Sequence, residues 1–149
     1  TPAQGYIHFG DGMVLLCGII LGPVYGSLAA GIGSMLADIF TGYLIFAPAT
    51  LIIKALAALI GTSLFHLIQK QPFLRYGKRI CGTIVGGIGG GVIVVTGYYL
   101  FSAYLLGMGP KAALIDIPLN LIQTVFGLIG ASLLLPLLDK IPLLQNSHS

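Results

Sequence analysis

Charge is scarce in this chain. Of 149 residues, seven are Lys or Arg and four are Asp or Glu, 7% in all, against 56% apolar residues and a mean hydropathy of +1.00. A water-soluble domain carries about a quarter charged residues to cover its surface, so this composition excludes a soluble globular fold and suits lipid as solvent. Cysteine is nearly absent too. Cys17 and Cys81 lie inside apolar runs with no CxxC or His-rich spacing, which excludes a zinc site and a disulfide framework and leaves two buried thiols as the expectation. No serine stands with a placed histidine and acid, and no carboxylates sit at hydrolytic spacing, so no catalytic set is present. The run GGIGGG at 86–91 has neither a strand before it nor a Walker lysine after it, and is not a phosphate loop. No aromatic-basic motif for RNA or DNA occurs; the formal charge of +3 comes mostly from one short loop and reads as an orientation signal, with no nucleic-acid partner expected. The opening TPAQGYIHFGDG lacks an initiator Met, a basic segment and an apolar segment, so no signal peptide is expected, and a preceding segment is expected to be missing.

What is present is a series of five hydrophobic elements. The first, Gly12 to Leu21, is too short to cross a bilayer alone, since spanning takes about 20 apolar residues. It meets Gly22-Pro23, where proline removes a backbone donor, so either a turn or a kink follows. The others run from about Val24 to Thr41, Pro48 to Gln69, Ile80 to Leu106, and Ala112 to Leu138 after the turn GMGP. These predict one compact transmembrane helical bundle, an all-α membrane protein. Lys70, Arg75, Lys78 and Arg79 mark the loop 70–79 as cytoplasmic, because positive residues flanking spans stay inside. That places the 41–48 connection and the 107–111 turn outside, with residues 142–149 a disordered tail. Residues 1–11 form an extracellular loop if Gly22-Pro23 is a turn and a cytoplasmic one if it is a kink. Small residues recur at helical spacing: Gly18, Gly22, Gly26, Ala30 and Ser34, then Gly82, Gly86 and Gly90, then Gly127 and Ala131. Such ladders let helices approach closely in lipid, either within the bundle or against a second membrane protein.

Against this apolar background a few polar residues stand out. Lys54 lies about 9 Å into its helix from Pro48, and Asp38 about 6 Å from Gly42, on neighbouring helices joined by a short loop. A charge at that depth is costly unless paired or hydrated, so the two either neutralise each other or line a wet cavity. Asp116, Asn120 and Gln123 follow i, i+4, i+7 spacing and share one face, with N-capping a competing role for Asp116. Thr50, Lys54, Ala57 and Gly61 share another, a polar mouth above a small-residue floor. The aromatics Tyr43, Phe46, Tyr98, Tyr99, Phe101 and Tyr104 gather on the outer side, as an interfacial belt or as rings on which a flat ligand stacks; Tyr43 is the preferred stacking candidate. His8 and Asp11 are neighbours in a loop or helix start, and His66 suits capping at the cytoplasmic end of its helix.

The segments YIHFGD, LGPVYGSLAAGIGSMLADIFTGY and APATLIIK, in that order, together with IPLNLIQTVFGLIGASLLLPLL near the C-terminus, resemble the substrate-binding S components of energy-coupling factor (ECF) vitamin transporters. The resemblance implies six helices with both termini cytoplasmic, of which five are visible here; the family's first helix is expected to be missing. It also favours a turn at Gly22-Pro23. The implied protein captures a vitamin from outside and reorients in the membrane when a transmembrane T component and two cytoplasmic ATPases cycle; it has no cofactor and no enzymatic activity of its own, ATP being used by its partners. By the same likeness the substrate-binding positions would be Tyr6, His8, Asp38, Tyr43, Thr50, Lys54, Asn120 and Gln123, with no catalytic or metal-binding residue. The pattern is most similar to members assigned to hydroxymethylpyrimidine or pyridoxine. The alternatives are an S component for pantothenate, folate, riboflavin or thiamine, or a proton- or ion-coupled carrier using Asp38 and Lys54.

Overall fold

The structure is a computed structural model that describes residues 10–72, 77–138 and 140. Among the described residues the regular structure is entirely helical: α1 (Gly10–Leu21), α2 (Pro23–Phe40), α3 (Ala47–Gln69), α4 (Lys78–Leu100), a short α5 (Pro110–Ala113) and α6 (Asp116–Leu138). Four of the helical stretches are long and apolar enough to cross a membrane, and α1, with 12 residues, is not. The expected elements are found with small shifts, except that the fifth, expected as one run from Ala112 to Leu138, divides into α5 and α6 around a turn at Leu114 and Ile115. Helix α1 takes in Gly10 and Asp11, and α4 takes in Lys78 and Arg79, residues that the sequence reading places in the segments 1–11 and 70–79. Tyr6, His8, Arg75 and the tail 142–149 lie outside the described residues.

Gly22-Pro23 is a turn. Gly22 takes a φ of 92°, a backbone conformation that favours glycine, and Pro23 opens α2 with its fixed φ and its missing N–H where no partner is needed. Gly18 and Gly26, eight residues apart, would be separated by about 12 Å in a straight helix. Here they touch: a methyl group built on Gly26 would lie 2.5 Å from the Cys17 carbonyl oxygen. The chain therefore reverses, and α1 returns against α2.

Helix α1 is the interior element. Val14, Leu15, Leu16 and Ile19 are buried, and the helix packs against α2, α3 and α6, while α3 and α4 pack along each other and α6 closes on α4. Outward faces are uniformly apolar and exposed, as on α2, where Val24, Leu28, Ile32, Leu36 and Ile39 follow helical spacing. In water such a surface would aggregate; in lipid it is the matched solvent boundary. Between helices the small residues do what close packing in lipid requires. Gly61 of α3 faces Gly86 of α4 so closely that a methyl on Gly61 would lie 2.8 Å from the Gly86 carbonyl oxygen. Gly12 meets Gly127 in the same way across α1 and α6. Much of the glycine ladder is thus taken up inside the bundle.

Candidate functional site

One cavity of about 370 Å³ lies near the ends of α2, α4 and α6, and its walls carry most of the polar side chains that the helices place inside. Asp38, Tyr43, Thr50, Lys54, Asn120 and Gln123, all six described members of the sequence-derived set, line it. The i, i+4, i+7 spacing on α6 delivers Asp116, Asn120 and Gln123 to this cavity, as the shared face requires. Its apolar lining includes Met13, Val14 and Cys17 of α1, Ala29, Ala30 and Ala37 of α2, Phe46 and Leu119. Cys17 and Cys81 are free thiols, half-buried where the sequence led us to expect buried ones.

The charge pairing differs from the simplest reading of the sequence. Lys54 does not reach Asp38; it forms an ion pair with Asp11, both side chains nearly shielded from solvent. Asp11 also accepts hydrogen bonds from Gln123 Nε2 at 3.2 Å and Thr124 Oγ1 at 3.3 Å. A carboxylate at the start of α1 therefore ties α3 and α6 to the central helix, and its acidic position in a first helical turn is favourable on its own account. The Lys54 ammonium also lies 5.6 Å from the Tyr98 ring centroid, within cation–π range.

Asp38 is held differently. Thr50 Oγ1 donates to Asp38 Oδ2, and the Tyr98 hydroxyl lies 2.8 Å from Thr50 Oγ1. Since the single Thr50 proton goes to the carboxylate, Tyr98 is the donor to Thr50, and a relay Tyr98 to Thr50 to Asp38 runs from α4 across α3 to α2. Tyr98 was one of six aromatics in a belt on the sequence alone; Tyr104, 66% exposed, fits that belt, whereas Tyr98 faces inward.

A second carboxylate completes the cavity wall. Asp116 is the first residue of α6, yet it does not cap the helix with its side chain: it is 4% exposed and accepts a hydrogen bond from Ser102 Oγ at 2.8 Å. Ser102 follows Val94 and Tyr98 at i, i+4, i+8 on the inner face of α4, and it sits in a π-helical stretch, Phe101–Leu105, at that helix's end. Phe101 stacks at a tilt on Phe46, with ring centroids 5.6 Å apart, closing that end of the wall. Asp11, Ser102 and the inward role of Tyr98 were not singled out from sequence. Elimination offers one signal for Asp11: a lysine in mid-helix needs an acid, and the chain has four.

A lipid-exposed helical bundle enclosing a polar-walled cavity toward one end is the architecture of a membrane-embedded binding subunit. A family model described as ECF-type riboflavin transporter, S component, matches residues 1–140, and the chain belongs to that family. It is accordingly a multi-pass membrane protein and the substrate-binding subunit of a transporter rather than an enzyme, a subunit type that works with T and ATPase components. A Pyrococcus woesei protein described as an uncharacterized protein in gap 3'region is 36% identical over 133 residues, covering 85% of this chain and 78% of the relative. No solved structure matches.

Proposed function

We propose that the cavity receives a flat heteroaromatic vitamin or precursor of the hydroxymethylpyrimidine or pyridoxine class from the extracellular side. Delivery follows by reorientation of the whole subunit, driven by a T component and two cytoplasmic ATPases. The observation that carries this reading is the convergence of Asp38, Thr50, Tyr98, Asn120, Gln123 and Asp116 from four elements on one 370 Å³ space with apolar remaining walls. A few convergent polar groups around an apolar pocket orient a small ring without demanding a large ligand. The outward assignment is supported by Lys70, Lys78 and Arg79 at the opposite ends of α3 and α4. Exchange of protons between Asp38 and Lys54 has little to recommend it, since Lys54 is committed to Asp11.

A second reading is favoured by the cavity's size. A one-ring vitamin fills roughly half of a space this large, whereas a three-ring flavin uses most of it, and riboflavin is the substrate in the family's description. Equilibrium dialysis of the purified protein against hydroxymethylpyrimidine, pyridoxine and riboflavin, without nucleotide, separates the two. Tight binding of a one-ring compound with weak riboflavin binding is the expected result; the reverse order transfers the assignment to flavins. Asn120→Ala is expected to weaken binding by about 1 to 3 kcal/mol, the loss for one buried polar contact.

A further inference from the structure

We propose that Asp116 sets substrate specificity, and that the substrate presents to it the N–H of an amine carried beside a ring nitrogen. This rests on the vitamin-binding reading and narrows it to aminated heteroaromatic rings. Asp116 is only 4% exposed, and it lines the cavity. Ser102 satisfies Oδ2, but Oδ1 has no hydrogen-bond partner among the described residues. A buried carboxylate oxygen without a donor is unfavourable, and such orphans in native structures call for an explanation.

Apart from Asn120, each nearby donor side chain already serves another acceptor. Lys54 and Gln123 serve Asp11, Thr50 serves Asp38, Tyr98 serves Thr50, and Ser102 serves the other Asp116 oxygen. The cavity's formal charges point the same way. Asp38, Asp116 and Lys54 line it, and Lys54 is balanced by Asp11, which leaves two carboxylates without a cation among the described residues. Asn120, the one uncommitted amide nearby, does not bond Oδ1 either, and the donor that this oxygen lacks is one that a ligand can bring. Asn120 lies one turn further along α6, about 6 Å away along the axis, and makes no hydrogen bond among the described residues. Its amide offers a donor to a ring nitrogen while Asp116 accepts from the neighbouring amine, so the two together match an edge of alternating donor and acceptor. A flavin ring edge sets its N–H between two carbonyl oxygens, which would face the Asp116 and Asp38 carboxylates unfavourably.

The test compares 4-amino-5-hydroxymethyl-2-methylpyrimidine with its analogue lacking the amine, by equilibrium dialysis against the whole protein in detergent, with pyridoxine and riboflavin alongside. The amine is expected to tighten binding by about thirtyfold, the value of a hydrogen bond to a charged acceptor. Asp116→Asn is expected to erase most of that preference, bringing the ratio of the two affinities to within about threefold of unity. The analogue pair on the wild-type protein decides the matter whether or not the variant folds. Equal affinity for the two pyrimidines, or tighter binding of pyridoxine or riboflavin, overturns the role of Asp116 while the vitamin-binding reading stands. Binding of none of the four compounds overturns both.

Discussion

The ion pair between Lys54 and Asp11 makes a quantitative prediction. Both side chains are at most 9% exposed, and Asp11 additionally holds Gln123 and Thr124. Removing one partner of a buried pair costs about 3 to 5 kcal/mol, because the other charge is left without compensation. The two single variants should not be equal. Asp11→Ala strands a buried ammonium against the face of the Tyr98 ring and frees two further donors, so it is placed at the upper end of that range. Lys54→Met leaves Asp11 with two hydrogen bonds and is placed at the lower end. For a chain of this size about 3 kcal/mol corresponds to a drop in Tm of roughly 10 °C. Replacing both with apolar residues, Asp11→Leu with Lys54→Met, should recover most of the loss, since a well-packed apolar pair often matches a buried ion pair. The assay is thermal unfolding in detergent followed with a thiol-reactive dye, for which Cys17 and Cys81 supply free thiols. Additive single effects in the double variant would refute the pairing.

Thr50→Val removes the donor to Asp38 and the acceptor of the Tyr98 hydroxyl in one step, and is expected to cost about 1 to 3 kcal/mol in the same unfolding assay, with Thr50→Ser restoring most of it. Gly61→Val forces a side chain against the Gly86 carbonyl and should destabilise by about 1 to 3 kcal/mol or more, whereas Gly33→Ala, inside α2 where an added methyl meets nothing within 4 Å, should not destabilise and should gain up to about 1 kcal/mol. A single cysteine replacing His8, in a background without Cys17 and Cys81, is expected to react with an impermeant thiol reagent in whole cells. Protection there would reverse the orientation assigned from the basic loop.

The four long helices were legible because each carries an uninterrupted apolar run bounded by Gly, Pro or charge, and lipid leaves little alternative for such a run. Six candidate binding residues on α2, α3, α6 and the α2–α3 connection converge on one cavity because helical periodicity and a short connection suffice to bring Asp38, Tyr43, Thr50 and Lys54 together. The partner of Lys54 was not legible in the same way. Asp38 is 16 positions away by residue number, Asp11 is 43, and proximity in sequence favours the wrong one. Only the reversal at Gly22-Pro23, itself ambiguous between a turn and a kink until α1 is seen against α2, carries the start of α1 back beside Lys54. The π-helical end of α4 leaves no comparable mark, since FSAYL reads as a continuation of an apolar helix.

That irregular stretch lies at the end of the bundle where the cavity is found. Toward this end of the bundle α2 stops at Phe40, α4 leaves α-helical pitch at Phe101, and α6 begins at Asp116 after the four-residue α5. Backbone that breaks helical pairing at membrane depth is tolerated where it is buried in protein or lines a wet space, because there its polar groups find partners other than lipid. The breaks here satisfy that condition: Met108 and Gly109 N–H groups return to the Ser102 and Ala103 carbonyls at 3.2 and 3.1 Å, and the Tyr43 N–H returns to the Asp38 carbonyl at 2.8 Å. Asp38, Ser102 and Asp116 line the cavity beside these breaks, while α3 runs on without one and packs Gly61 against Gly86 of α4. In a chain with eleven charged residues, the polar chamber thus lies where the helices are broken and their freed backbone groups find partners other than lipid.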